Sequence, residues 1–439
     1  MLIHARWVIP VEPDATVLEN HSVAIEDGRI AALLPAADAR QNYQAQTVHE
    51  LESHALIPGL VNAHTHAAMC LLRGIADDLP LMDWLQHHIW PAEQKWVNEQ
   101  FIQDGTQLAI AEMLRSGTTC FNDMYFFPEV SARAAAGAGI RASIGMILID
   151  FPTNYAENPD QYFAKGLALH DEYRHHPLIS CTFAPHAPYT VSNKPLRRTQ
   201  VLSDELDLPV HMHVHESIGE IEQDIAQHGE RPLTRLDRLG LLSGSLVAVH
   251  MNHLLDEEIH RLAESGSNVV HCPESNLKLA SGFCPVQSLL AAGINVALGT
   301  DSAASNNDLD MLGELRTAAL LGKAVSGDAS ALPAHTILRM ATLNGANALG
   351  IGAETGSLVT GKWADITAVC LDSIETRPLY NPVSQLVYAS GREQVTDVWV
   401  AGQHLLKDHQ LTTLDDNEIL ARARDWQARI AAPANTDTR

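Results

Sequence analysis

Leu56-Ile57-Pro58-Gly59-Leu60-Val61-Asn62-Ala63-His64-Thr65-His66 joins an apolar run to a pair of histidines spaced i, i+2. Alternate residues of a strand project to the same side, so His64 and His66 can reach one metal ion from a strand end. A bare H-x-H means little in a chain with 23 histidines; its position gives it weight. The apolar run Leu56–Ala63 is the first of a series. The others are Gly117–Asp123, Arg141–Ile147, Ile179–His186, Pro209–His213, Leu246–His250, Asn268–Cys272 and Asn295–Asp301. Between them lie amphipathic helical patterns, among them Glu99–Ser116, Glu129–Gly139, Ile218–Leu239, Asp256–Gly266 and Val286–Gly293. Strand and helix alternating in this way signal a parallel β/α architecture. Gly117, Gly139, Gly266 and Gly293 stand where helices hand over to strands, a place that favours positive φ. Eight such units over roughly 300 residues fit a closed (β/α)8 barrel of TIM type. No G-x-G-x-x-G follows a first strand to indicate a doubly wound sheet instead.

The ends of the chain read differently. Ser22-Val23-Ala24-Ile25 and Ile30 flank Asp27-Gly28, a hairpin signal. Ala364–Val369 and Val395–Val400 repeat the strand style near the other end. Neither end is long enough for a core of its own. The expectation is one small composite β-sandwich domain built from 1–57 and 356–439, flanking a catalytic barrel over 58–355. Asp415–Ala432 reads as a helix, and 433–439 as a frayed tail.

Composition narrows the function. With 46% hydrophobic and 19% charged residues the chain is an ordinary globular protein. No apolar run approaches the roughly 18–20 residues that span a bilayer, and the start lacks the features of a secretory signal; a cytoplasmic enzyme without a membrane partner is expected. The formal charge of −24 argues against a nucleic-acid partner; it suits a small neutral or weakly cationic substrate, though it reads first as a solubility feature. The six cysteines, Cys70, Cys120, Cys181, Cys272, Cys284 and Cys370, form no C-x-x-C pair, so reduced, mostly buried thiols are expected rather than a cysteine metal site.

Further chemistry-bearing residues sit at later strand ends: His186, His213, His250 and Asp301. Each alone reads as a capping or core residue. Together with His64 and His66, at the face where barrel active sites lie, they are better explained by a His/His/His/Asp metal site. Such ligands with an open position suit zinc, or less commonly iron. His211, His213 and His215 share one strand face by parity; His211 and His215 are read as supporting or packing residues. Glu216 falls just past the strand end, where a loop can turn it inward as a proton shuttle.

Several segments together carry a resemblance: Asn62–His66, Leu71-Leu72-Arg73-Gly74, Phe121-Asn122-Asp123-Met124-Tyr125, Ala184–Tyr189, His213-Val214-His215-Glu216, His271–Leu279 and Gly299–Asn307. They resemble the amidohydrolase superfamily, and within it the 5′-methylthioadenosine/S-adenosylhomocysteine deaminases, over nearly the whole chain. The resemblance implies one zinc held by His64, His66, His213 and Asp301. It implies Glu216 as the shuttle that protonates the purine ring, and His250 as a histidine beside the attacking water, whose proton Asp301 takes. It further implies Glu93 as acceptor for the ribose hydroxyls and His186 as a second substrate contact; from sequence alone, Glu93 would read as an exposed acid at a helix start. Relatives with two metals carry a lysine on the fourth strand, and Ile179–His186 has none. Gly145-Met146-Ile147-Leu148-Ile149 supplies no arginine for a homocysteine carboxylate, so 5′-methylthioadenosine is the expected substrate. Guanine or triazine deaminases and chlorohydrolases share much of the pattern and remain the alternative; a non-catalytic scaffold is remote, since all four ligands are present. Barrels of this kind often pair, so a homo-oligomer is compatible with the sequence.

Overall fold

Gly59 marks the point where the chain passes from one sheet to another. The computed structural model describes residues 1–432; the tail expected at 433–439 lies outside the described residues. Val48–Pro58 belongs to a sheet made from both ends of the chain, whereas Leu60–Thr65 opens the barrel. The run Leu56–Ala63, read as one strand, is therefore divided. Pro58 has no N–H to continue a ladder, and the backbone turns at Gly59, where a Cβ would lie 2.0 Å from Thr119 Oγ1.

The barrel strands are Leu60–Thr65, Thr118–Asp123, Arg141–Leu148, Ile179–Pro185, Val210–Val214, Leu246–His250, Asn268–His271 and Asn295–Leu298. They hydrogen-bond in parallel in sequence order. The seam between the last and the first is stitched beyond the ladder. Asp301 N donates to His64 O at 3.0 Å, and Thr300 N to Asn62 Oδ1 at 3.0 Å. The expected eight-stranded barrel is the observed architecture.

Helices cover the strands and bury one continuous apolar layer that includes Ile110, Met113, Phe121, Ile144, Met212, Leu236 and Leu315. Helix Pro128–Ala138 ends on Gly139 at φ 80°, and Asp256–Ser265 on Gly266 at φ 70°, as the sequence leads one to expect. The stretch Ile218–Leu239 is not one helix but two, Ile218–His228 and Pro232–Arg238. Gly229 leaves the first in the left-handed region, and Pro232 can only begin the second.

The second sheet runs Gln410–Leu411, Gln403–Lys407, Val395–Val400, Ile366–Cys370, Val48–Pro58, Leu2–Val8, Leu18–Glu26 and Arg29–Pro35 in hydrogen-bonded order. The Asp27-Gly28 turn joins the last two. A separate apolar cluster including Ile3, Val23, Leu56, Ile366 and Trp399 lies against it. The chain closes with helix Asp416–Ala431. Five of the cysteines are buried and Cys370 is half-buried; all are free thiols. No described helix is long and apolar enough to cross a membrane.

Candidate metal centre and cavity

The parallel ladder brings the C-terminal strand ends to one rim, and the sequence places histidines there. On Val210–Val214, Val210, Met212 and Val214 enter the apolar layer. The intervening His211 and His213 therefore face the opposite side, by the two-residue period of a strand. His64, His66, His213 and Asp301 come together: one ligand atom from each lies within 4.8 Å of all the others. Asp301 Oδ1 is 3.3 Å from both His64 Nε2 and His66 Nε2, and His213 Nε2 is 3.1 Å from His64 Nε2.

This cluster fits a cation. Bonds of about 2.0–2.1 Å around a tetrahedral zinc separate neighbouring ligand atoms by about 3.3 Å. The three short spacings are close to that value. The outer nitrogens are occupied elsewhere, which leaves each Nε2 for the centre. His66 Nδ1 meets the Met124 carbonyl, His213 Nδ1 the His186 carbonyl at 2.8 Å, and His64 Nδ1 the His211 Nε2 at 2.8 Å. Burial pushes His64 down to about 4 and His213 well below the usual histidine value, so both are neutral donors. Burial alone would lower His66, but Asp301, the Met124 carbonyl and Asp123 together raise it above the usual histidine value. Burial alone would raise Asp301; its contacts with His64 and His66 hold it well below the usual carboxylate range. Ser275 Oγ and Ser305 Oγ donate to Asp301 Oδ2 at 2.6 and 2.9 Å, and Ser302 N to Oδ1 at 2.8 Å.

His211 stacks on His64, and its Nδ1 lies 2.8 Å from the Asn122 side-chain amide. His215 departs from the parity reading. The strand ends at Val214, and His215 takes φ 55° and leaves the shared face; its Nε2 accepts from Leu233 N at 3.3 Å. That same turn carries Glu216 inward, where its Oε2 stands 3.8 Å from His250 Nε2. Burial is the main cause that raises the Glu216 carboxyl above its ordinary value.

An amide relay settles the tautomer of His250. The Glu216 carbonyl can only accept, so Asn252 donates Nδ2 to it at 2.9 Å. Asn252 Oδ1 then accepts from Asn276 Nδ2 at 2.9 Å, and Asn276 Oδ1 faces His250 Nδ1 at 2.8 Å. His250 therefore carries its proton on Nδ1 and presents an Nε2 lone pair towards Glu216.

His66, His213, Glu216, His250 and Asp301 line a cavity of about 530 Å³. Glu93 and His186 also line it. Glu93 is half-buried rather than an exposed helix-start acid. It lies in Trp90–Trp96 and accepts from Tyr125 Oη at 2.8 Å; burial pushes its carboxyl up to about 7, against the pull of that bond. His186 meets Thr190 Oγ1 at 3.0 Å and is pushed down to about 3, mainly by burial. The remaining wall is mostly apolar, including Met69, Trp84, Leu85, Ile147, Phe151 and Leu279, with Gln94, Thr153, Asn154 and Tyr189 among its uncharged polar residues. No lysine or arginine lines the cavity among the described residues.

The sequence alone marks no role for Asn122, Tyr125, Asn252, Ser275, Asn276 or Ser305. Their signal was proximity to strand ends. Their partners are distant in sequence, so nothing local distinguishes them from turn-forming residues.

Comparison with known proteins agrees with this geometry. A 5-methylthioadenosine/S-adenosylhomocysteine deaminase from Teredinibacter turnerae is 50% identical over 430 residues, 98% of this chain and 97% of that one. One from Saccharophagus degradans is 49% identical over 98% of this chain and 97% of its own. The crystal structure of an adenosine deaminase from Xanthomonas campestris with bound zinc superposes with a TM-score of 0.97 at 55% identity, covering 98% of both chains. An atrazine chlorohydrolase from Arthrobacter aurescens, at 24% identity, shares the fold alone, with a TM-score of 0.90 over 97% of this chain and 99% of that one. Residues 55–405 match the amidohydrolase family, and the chain belongs to that family.

Proposed function

We propose that this protein is a zinc-dependent deaminase that hydrolyses the 6-amino group of 5′-methylthioadenosine, releasing ammonia and an inosine-type product. The observation that carries the choice of substrate is the cavity wall: beside the His/His/His/Asp cluster and Glu216 it is lined mostly by apolar side chains, with no lysine or arginine. The curated relatives at about half identity bear the deaminase name.

In this reading His64, His66, His213 and Asp301 hold the zinc, which when bound lowers the pKa of a water towards neutrality. Asp301 takes the proton of the attacking water, its other oxygen held by Ser275 and Ser305. His250 accepts a hydrogen bond from that water through Nε2, the nitrogen its tautomer leaves free. Glu216, whose carboxyl burial raises above its ordinary value, gives its proton to ring N1 as C6 is attacked; Asp301 then passes its proton to the 6-amino group, the C6–N bond breaks to release ammonia, and the proton of the new C6 hydroxyl returns to Glu216 as the carbonyl forms. Glu93 accepts from the ribose hydroxyls, and His186 contacts the purine.

S-adenosylhomocysteine would bring an ammonium and a carboxylate to a wall that offers the carboxylate no cationic partner. Desolvating such a group unpaired costs several kcal/mol, so kcat/KM for 5′-methylthioadenosine should exceed that for S-adenosylhomocysteine at least about tenfold. Ammonia release from a panel of both nucleosides, adenosine, guanine and a chlorotriazine tests this. Equal or greater efficiency on S-adenosylhomocysteine would refute the substrate choice, and turnover of guanine or the triazine alone would refute the nucleoside reading.

A further inference from the structure

The spacing Ser217-Ile218-Gly219-Glu220 is that of a capping box, S-x-x-E, at the start of helix Ile218–His228. In such a box the glutamate reaches back to the N–H of the capping residue. Ser217 does its part, its Oγ accepting from Glu220 N at 3.3 Å. Glu220 reaches further back instead. Its Oε1 accepts from His215 N at 2.9 Å and its Oε2 from Glu216 N at 2.8 Å. The carboxyl is thus clamped on two successive N–H groups, and it is only 5% exposed.

The residues it holds form the turn that matters. His215 sits at φ 55°, a conformation costly for a side chain other than glycine. That turn carries Glu216 off the strand axis and into the cavity. The Asn252 amide holds the Glu216 carbonyl from the other side. Among the described residues no hydrogen bond holds the Glu216 carboxyl itself, and its ion-pair contact is with His250 Nε2 at 3.8 Å. Its direction is therefore set by the backbone, and the backbone is set by Glu220 and Asn252.

We propose that Glu220 is a positioning residue for the deamination, holding the 215–216 turn so that the Glu216 carboxyl points at the reacting ring. The proposal rests on the reading of Glu216 as proton donor only for its kinetic consequence; the clamp itself is a statement about geometry. Burial pushes the Glu220 carboxyl up to about 8 while its two N–H bonds pull it down, so replacement by the amide tests the clamp's acceptor oxygens rather than a full charge.

Glu220→Gln turns an N–H donor towards one of the two backbone donors, and Glu220→Asp is too short to reach both. Both variants are compared with wild type after zinc loading, normalised to zinc content. The expected result is a kcat at least about tenfold lower for the glutamine with KM within about threefold, and less loss for the aspartate, which keeps a carboxyl to accept from one N–H. On a Glu216→Gln background the Glu220→Gln change should add less than about twofold, because its target is already gone. Crystal structures of the two variants should show the Glu216 carboxyl displaced from His250. A purely structural role predicts lower Tm with unchanged kcat per zinc. That result, an equal loss on both backgrounds, or a Glu216 carboxyl still beside His250 in either variant would overturn the proposal. Normal activity in Glu216→Gln alone would instead refute the proton-donor role, while the crystal structures would still decide the clamp.

Discussion

Glu216 and Glu93 are both carboxyls raised by burial, and the proposed chemistry asks opposite things of them. Glu216 must be protonated to give a proton; Glu93 must be ionised to accept hydroxyl hydrogen bonds. Glu216→Gln keeps the shape but has no acidic proton, so kcat should fall by about 10²–10⁴. Zinc content by mass spectrometry should be unchanged, since Glu216 is outside the four-ligand cluster. Near-wild-type kcat, or loss of the metal, would defeat that assignment. For Glu93 the folded value is about 7 and the ionised form is the binding form. The efficient state therefore lies above that pH and is lost as pH falls through it. A plot of kcat/KM against pH should show an acid limb near 7, absent in Glu93→Gln, whose efficiency at pH 8 should be about 10–100-fold lower for want of a charge-assisted hydrogen bond. An unchanged limb in that variant would assign it to another group. Residue by residue, the metal cluster was legible because its members end apolar runs. Glu93 was not: it sits in Trp90–Trp96, directly after a π-helical turn at Leu85–Ile89, and only the Tyr125 hydroxyl and the cavity wall distinguish it from a surface acid.

At the scale of elements, period and punctuation located all eight barrel strands, and they failed where punctuation inside a run was passed over. Pro58-Gly59 divided a strand, and Gly229 with Pro232 divided a helix. His215 broke the parity of its strand because left-handed φ at a strand end cannot be read from an alternating pattern. The seam between the first and last barrel strands was also beyond local reading. It needs Gly299, where a Cβ would fall 2.8 Å from His64 N and 2.9 Å from His64 Cβ. Gly299→Ala must push apart the two segments that carry His64 and Asp301. Overpacking of this kind costs about 1–3 kcal/mol. We expect a Tm lower by several degrees and weaker zinc retention against a chelator. Gly137→Ala is the control: it lies in helix Pro128–Ala138 with nothing within 4 Å of the added carbon, and alanine favours helix over glycine. If Gly299→Ala holds zinc and melts as wild type does, the seam is more yielding than its spacing implies.

Across the whole molecule the two sheets are tied together at the end of the barrel remote from the metal cluster. Arg141, the first residue of the third barrel strand, reaches Asp365, just before Ile366–Cys370 of the other sheet. Its Nε donates to Asp365 Oδ2 at 2.8 Å and its Nη2 to Oδ1 at 3.2 Å. Asp365 also accepts from Thr355 Oγ1 at 2.8 Å and Ala401 N at 2.7 Å. Hydropathy patterning suggested a sheet drawn from both ends of the chain, but a pair separated by 224 positions leaves no trace in pattern or spacing. Arg141 and Asp365 are 6% and 2% exposed, so neither charge can turn to solvent if the other is lost. A buried pair of this kind is weak evidence of net stabilisation, yet removing one partner strands the other at a cost of about 3–5 kcal/mol. Asp365→Ala should therefore lower Tm markedly. Well below the new Tm, kcat per zinc should stay within about twofold of wild type, because the pair sits at strand N-termini and the reacting groups at the C-termini. Double replacement of Arg141 and Asp365 by apolar residues should recover much of the lost Tm, since it removes the stranded guanidinium as well. Calorimetry of the three proteins with parallel assays of turnover tests this. A fall in kcat without a fall in Tm would mean that the junction between the sheets sets the geometry of the rim, and that the barrel does not isolate its active end from the sheet that flanks it.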